Sequence, residues 1–258
     1  MRYFQVDVRE EPTEYGYMPV LQLYLLEGKD KPRPIVIIAP GGGYESVDSE
    51  EDRVVSQYNA AGFHAAVLRY SVSPHCFPQP ERDLMQAIGL VRKRAREWGI
   101  LRDRVAICGF SAGGHLCACV STLWKKLGDE RCKPDAVILC HAILTAELDH
   151  CKNFIVAHVG SGDREVQELA FCDRQVSGDT PPTFLYTTYE DKLANVENVL
   201  YYGEMLTKHG VPFEMHVLPG GGHCAPWCDD LIWAKSVGGR DFNYIRLSVE
   251  WMRELWRL

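Results

Sequence analysis

Six short apolar runs recur along the chain and restrict its fold more than any other feature. The first, Pro34-Ile35-Val36-Ile37-Ile38-Ala39, is continuous and has prolines at its start and just beyond its end. A strand with one wet face alternates apolar and polar residues, whereas an unbroken run of this length suits a strand buried on both faces. Residues 63–69, 104–108, 136–140, 183–187 and 214–218 repeat the pattern. Between them lie stretches of helical period. Leu84, Ile88, Val91, Ala95 and Trp98 recur at spacings of three and four, and so do Ile245, Val249, Met252 and Trp256. Each set makes a single apolar stripe. Strands alternating with such helices predict an α/β fold with a mostly parallel sheet covered on both faces. Residues 3–8 and 20–26 add two strands at the start, read as a hairpin at the sheet edge, for about eight strands in all.

A chain of 258 residues with 46% hydrophobic content buries one large core, so residues 1–258 are read as a single domain. The formal net charge of -7 argues against a nucleic-acid partner. The first residues lack a cationic segment leading into an apolar one, so no secretory signal is expected. No apolar run approaches the length of a membrane span. The ten cysteines include Cys108, Cys117, Cys119 and Cys140 in apolar segments, where free cysteine packs as a small hydrophobe. With no Cys-x-x-Cys pair, the expectation is reduced thiols and a cytoplasmic location. One region breaks the β-α rhythm: residues 142–179 exceed an ordinary connection. They contain Gly160-Ser161-Gly162-Asp163 and a helix-like stretch over 164–171, and are expected to form an insertion lying over the C-terminal edge of the sheet as a lid.

The stretch VAICGFSAGGHLCA, residues 105–118, joins a predicted strand to a predicted helix through Gly109-Phe110-Ser111-Ala112-Gly113. Gly-x-Ser-x-Gly alone is a weak signal, and a tight turn with an incidental serine is the plain alternative. At a strand-to-helix corner the pattern has a physical reason. The sharp bend forces the serine into unfavourable backbone space and brings its neighbours too close for side chains, a demand that Gly109, Gly113 and Gly114 meet. Ser111 Oγ then stands exposed beside the N–H groups of a helix N-terminus.

A serine hydroxyl needs a base. His223 follows the last run in the glycine-rich LPGGGHCAPW and is the best placed of the nine histidines, since loops leaving strand ends on one sheet edge are where sites in open α/β folds gather. His64, His141 and His216, in or at the ends of strands, and His115, within the helix after Ser111, fit less well. The base needs a carboxylate to hold its tautomer. Asp191 follows the 183–187 run, with Glu190 adjacent, and spacing does not separate the two. The chain order is nucleophile, acid, base. After the first central run comes APGGGYES, where Gly42 and Gly43, with the N–H of Ala112, are candidate donors to an oxyanion. A phosphate loop is the rival reading there. It lacks Gly-Lys-Ser/Thr and the dinucleotide spacing, and Glu45, Asp48, Glu50, Glu51 and Asp52 follow closely. Cys224 and Cys228 beside His223 have no second pair at ligand spacing, so no metal is expected. Tyr44 and Trp227 flank the two loops as candidate substrate contacts.

The segments PGGGY, RVAICGFSAGGHL, PPTFLYTTYEDKLANVEN and GVPFEMHVLPGGGH, in this order, resemble the α/β-hydrolase-fold esterases, and within them the acetylesterases that include acetyl-xylan and related carbohydrate esterases. The resemblance runs from about residue 33 to the end. It implies the α/β-hydrolase fold, Ser111 as nucleophile, His223 as base, Asp191 rather than Glu190 as acid, and Gly42, Gly43 and Ala112 as oxyanion donors. It also implies a small acylated substrate, an acetylated sugar, with no cofactor. The chain departs from the pattern at Pro40, where related lipases carry histidine, and at Cys224, where glycine usually follows the base. Spacing alone supports acyl transfer and stops there. An aryl-formamide or lysophospholipid hydrolase is an alternative, as is a binding protein that kept the fold without catalysis, although all three triad candidates are present. A homo-oligomer is compatible with the sequence.

Overall fold

The computed structural model describes residues 1–28, 31–48, 52–223 and 243–258. Eight strands form one sheet in the order β1-β2-β4-β3-β5-β6-β7-β8. They are β1 (Arg2–Asp7), β2 (Val20–Leu25), β3 (Arg33–Ala39), β4 (His64–Arg69), β5 (Ile100–Phe110), β6 (Ala136–Cys140), β7 (Thr183–Thr188) and β8 (Phe213–Leu218). β1 pairs antiparallel with β2, and β2 antiparallel with β4. From β4 to β8 every pairing is parallel.

Five of the six apolar runs are two-sided strands; the sixth, over 214–218, is instead the edge strand β8, where only Leu218 is buried. In β3, Ile35 and Ile37 join one core, while Val36 and Ile38 join the core on the other face. Val105 and Ile107 of β5 divide from Ala106 and Cys108 in the same way. The two faces take different helices. α1 (Asp52–Ala60) supplies Val54, Val55 and Tyr58 to one layer, and the C-terminal helix α8 (Tyr244–Trp256) supplies Ile245, Val249, Met252 and Trp256. The other layer holds α2 (Gln79–Trp98), through Leu84, Ile88 and Val91, and α3 (Ala112–Leu127), through Leu116, Val120 and Leu123. It also holds α7 (Glu197–Lys208), through Val199, Tyr202 and Leu206. The α2 stripe read from the sequence is the buried face of that helix, and Gly99 ends it in left-handed geometry.

β5 starts earlier than the apolar run predicts, at Ile100 rather than residue 104. Ile100 pairs with Arg33, and the register shifts between Arg33 and Ile35. Residues 101–104 are only partly covered, so the start of the strand carries no apolar signal. Residues 142–179 contain three helices: α4 (Asp149–Val159), α5 (Arg164–Ala170) and α6 (Cys172–Gln175). Gly160 caps α4 in left-handed geometry, and Asp163 caps α5 by accepting from the Glu165 N–H. The sequence reading contains α5 but not α4. The buried face of α4 is Cys151, Ile155, His158 and Val159, so a histidine and a cysteine interrupt the apolar stripe that a helix reading depends on.

Parallel strands put their C-terminal ends on one edge. β3, β5, β7 and β8 all end there, and the chain leaves β3 and β5 in opposite directions along the sheet. Such a switch point opens a crevice between the departing loops.

Candidate active site

The corner between β5 and α3 is built as its glycines require. Ser111 sits at φ 52, ψ -116, backbone space that costs a non-glycine residue on the order of 1–3 kcal/mol. A Cβ on Gly109 would lie 2.1 Å from the Gly113 carbonyl oxygen, and one on Gly113 would lie 2.1 Å from that of Ala39. The corner is therefore pressed against both its own helix and β3. The Ser111 N–H is held by the Cys140 carbonyl of β6 at 3.0 Å. Ala112 is the first residue of α3, so its N–H has no partner within the helix and points out of the N-terminus beside Ser111.

Three side chains distant in sequence meet at this corner. Ser111 Oγ and His223 Nε2 are 2.8 Å apart across 112 residues of chain. His223 Nδ1 lies 2.8 Å from Asp191 Oδ2. The other carboxylate oxygen, Oδ1, accepts from the N–H groups of Leu193 and Ala194, each at 2.9 Å. Asp191 is buried, whereas its neighbour Glu190 is exposed and accepts from the Gly221 N–H at 3.3 Å. The turn after β7 thus separates two acids that spacing leaves equivalent: one faces the histidine ring, the other braces the loop that carries it.

A residue passed over in the sequence reading joins this group. His141, directly after β6, is buried with φ 50, and its Nδ1 lies 3.4 Å from Asp191 Oδ2. Its ring meets those of Tyr186 and His223 edge-on, with centroids 5.0 and 6.0 Å away. Burial alone raises the Asp191 carboxyl. Hydrogen bonds from His141, His223 and the Ala194 N–H outweigh it and hold the carboxyl well below the usual carboxylate range. Asp191 therefore stays anionic at neutral pH. The available signal was the position of His141, one residue past a buried strand on the edge that carries the other candidates.

The loop after β3 folds back on itself. Gly42 accepts from the N–H groups of Glu45 and Ser46, and Gly41 from that of Asp48. Gly42 has φ 122, and a Cβ there would lie 2.2 Å from the Ser46 carbonyl oxygen. A Cβ on Gly41 would be 3.6 Å from Ser111 Cβ, so the loop packs directly on the corner. Gly42 and Gly43 line a cavity of about 800 Å³ with Ser111 and His223. Ile143, Phe154 and Leu193 make its apolar wall, and Asp48, His150, Glu190 and Lys192 supply polar groups. His150 and Phe154 are one turn apart on α4, so residues 142–179 do contribute to this edge.

Tyr44 does not line that cavity, contrary to the sequence reading. It is buried, its ring stacks on His158 at 3.5 Å between centroids, and its hydroxyl meets His115 Nδ1 at 2.8 Å. With φ 62 at the end of the tight loop, its side chain turns into the core rather than the crevice. Trp227, Cys224 and Cys228 lie outside the described residues.

The assembled parts are a hydroxyl hydrogen-bonded to an imidazole, an imidazole oriented by a buried carboxylate, and N–H groups at a helix start and a glycine loop, around one cavity. Such a set can move a proton from the hydroxyl to the ring while an anion develops beside the N–H groups.

The chain is similar in sequence or in fold to known proteins. Residues 21–137 match the BD-FAE family. An acetyl ester-xyloside bifunctional hydrolase from Caldicellulosiruptor lactoaceticus is 32% identical and superposes with a TM-score of 0.85, covering 98% of this chain and 96% of that one. Endo-1,4-beta-xylanase B of Butyrivibrio fibrisolvens is 29% identical over 88% of this chain and 38% of its own length. The acetylxylan esterase of Xylanibacter ruminicola is 25% identical over 83% of this chain and 48% of its own length. The chain thus spans half or less of these two curated relatives.

Proposed function

The chain belongs to the BD-FAE family of α/β-hydrolases, and on that premise we propose that it is a serine carboxylic-ester hydrolase that removes acetyl groups from acetylated carbohydrate. The observation that carries this reading is the unbroken relay Ser111–His223–Asp191, with both links at 2.8 Å, opening into a cavity.

In the reaction, His223 Nε2 takes the Ser111 proton as Oγ attacks the ester carbonyl carbon. The resulting imidazolium keeps its Nδ1–H on Asp191, whose fixed negative charge stabilises it. The carbonyl oxygen becomes an oxyanion facing the N–H groups of Ala112 and of Gly42 and Gly43. Collapse expels the alcohol, which receives the proton from His223, and leaves an acetyl group on Ser111. Water then attacks with His223 again as base, releasing acetate and restoring the serine.

Two features support a short acyl group on a sugar. The apolar wall is made by three side chains, Ile143, Phe154 and Leu193, which suits a small acyl group. Asp48, His150, Glu190 and Lys192 offer donors and acceptors for a polyol leaving group. The names of the xylan-directed relatives point the same way.

The test has two parts. Burst kinetics on p-nitrophenyl acetate report the acyl-enzyme, and Ser111→Ala abolishes both burst and turnover with the fold intact by circular dichroism. Acetate release from acetylated xylo-oligosaccharides is then compared with hydrolysis of long-chain acyl esters and of an aryl formamide. Wild-type turnover by Ser111→Ala rejects the mechanism. A preference for the long-chain ester or the formamide rejects the substrate class and leaves the mechanism standing.

A further inference from the structure

Spacing along the chain suggests no metal site, but the fold assembles a donor set among the described residues. His115 and Cys119 are one turn apart on α3, on the face turned toward residues 142–179. Cys172 opens α6 opposite them. All three side chains are buried, and one donor atom from each lies within 4.8 Å of the others. The carbonyl oxygen of Ala170 projects into the same point. It lies 2.9 Å from His115 Nε2, 3.9 Å from Cys119 Sγ and 3.7 Å from Cys172 Sγ. Cys119 Sγ is 3.6 Å from His115 Nε2 and 3.3 Å from Cys172 Sγ.

We propose that His115 Nε2, the Cys119 and Cys172 thiolates and the Ala170 carbonyl oxygen form a closed structural site for zinc(II), which ties the elbow helix to the 170–172 segment. Zinc bonds of about 2.3 Å to sulfur and about 2.0–2.1 Å to nitrogen or oxygen place tetrahedral ligand atoms roughly 3.3–3.8 Å apart. The five spacings above straddle that range. The sulfurs need to part by about 0.5 Å, and the imidazole and carbonyl by slightly less, to admit the ion.

Three further observations fit a metal. The charge balances: two thiolates neutralise the dication, so a site without solvent contact carries no net charge. Each thiol gives its proton to solvent as the ion binds. The imidazole already has a partner on its second nitrogen, because the Tyr44 hydroxyl lies 2.8 Å from His115 Nδ1; Cys119 Sγ is 3.9 Å from that nitrogen and 3.6 Å from Nε2. A metal-bound histidine commonly has such a partner on its second nitrogen. Finally, the donors come from α3 on one side and from the end of α5 and start of α6 on the other, which are distant in sequence, so the ion would cross-link them. All four positions are filled by protein, which leaves no room for a reactive water. The role is to hold the elbow helix in place rather than to take part in ester hydrolysis, and the inference stands apart from the esterase reading.

The full chain, prepared without a histidine tag in zinc-containing medium and dialysed, is tested for bound metal by mass spectrometry. Roughly one zinc per chain is expected, retained in Cys76→Ser and in the Cys224→Ser/Cys228→Ser double variant, and lost in Cys119→Ser and Cys172→Ser. A strong chelator is expected to lower the wild-type Tm by several degrees. Cobalt(II) provides a readout that needs no variant: wild-type protein shows a thiolate-to-cobalt charge-transfer band with intense tetrahedral d–d bands. Absence of those bands, or no stoichiometric zinc, overturns the proposal. So does metal that follows Cys224 and Cys228, or a disulfide between Cys119 and Cys172 in protein purified without reductant.

Discussion

Two of the histidine–carboxylate contacts among the described residues invite comparison, because both are buried at the acid and only one adjoins the serine. His223 and Asp191 meet at 2.8 Å, and His158 and Glu81 at 3.1 Å. The His223 side chain is 21% exposed and lines a cavity, whereas that of His158 is 1% exposed and packed against the Tyr44 ring. Burial pushes the His158 imidazole below its ordinary value despite the pull of Glu81, so this ring is neutral at pH 7. The carboxylates are also treated differently. Asp191 accepts from two backbone N–H groups and bonds the His223 ring, with His141 Nδ1 3.4 Å from the same oxygen, whereas Glu81 holds a single ring. A histidine and an acid in contact are therefore not in themselves a catalytic device. A serine on the far nitrogen and a path for substrate make the difference.

Asp191→Asn tests the first pair directly. Losing the charge and inverting the hydrogen-bond polarity at His223 Nδ1 is expected to lower kcat on the order of 10³–10⁴-fold, measured by steady-state hydrolysis of p-nitrophenyl acetate. Glu81→Ala is the matching change in the second pair. It leaves a cavity and an unpaired ring, at a cost of about 2–4 kcal/mol in denaturant unfolding, while kcat of the folded enzyme stays within about threefold. A collapse of kcat in Glu81→Ala at full folding would show that the buried pair belongs to the reaction after all.

His141 lies between these extremes. His141→Phe removes one donor from Asp191 Oδ2 and is expected to reduce kcat about tenfold, with KM little changed. His141→Gln keeps an N–H at that place and is expected to recover most of the loss. Equal damage from both replacements would mean that the ring packing against Tyr186, not the hydrogen bond, is what matters.

The smallest expected effect concerns His64, which is buried away from the site. Its Nδ1 accepts from the Leu26 N–H, and its Nε2 bonds the Gly99 carbonyl. Burial lowers its pKa from 6.5 to about 4, against the opposing bond to Gly99. The unfolded chain takes up a proton at this ring that the folded chain refuses until about pH 4. Stability contributed here is complete above pH 6.5 and is lost as pH falls through that window. Replacing His64 with Gln, whose amide can both accept and donate, is expected to flatten the slope of unfolding free energy between those two pH values. An unchanged slope would place the titration elsewhere.

The parts legible in the sequence are those whose physics is local. Two-sided burial writes an unbroken apolar run, and β3 through β7 are legible that way with edges shifted by a few residues, whereas β8 is an edge strand in which only Leu218 is buried. The elbow is legible because crowding within five residues demands glycine at Gly109, although the demand at Gly113 comes from Ala39 and Pro40 at the end of β3. His223 and Asp191 are legible because each follows a recognisable strand. Helix α4 was missed because its buried face includes His158 and Cys151, which find partners in Glu81 and Asn198 rather than in a generic apolar core.

The remaining assignments rest on contacts between segments that no local pattern encodes. Glu190 and Asp191 are neighbours of like charge. Which one turns inward is set where the Tyr189 N–H is clamped by Leu218, across from β7 to β8. Tyr44 reads as a pocket residue beside a glycine loop, yet the space and partner that claim it are offered by α3 and α4. His115, Cys119 and Cys172 become one donor set only when α6 packs on α3. Amino-acid order encoded the strands, the corner and the candidate nucleophile, because steric and hydrophobic demands act over a few residues. Packing of distant elements chose which acid, which histidine and which thiols share a point in space, because polar side chains take their roles from whatever partners burial brings within hydrogen-bond reach.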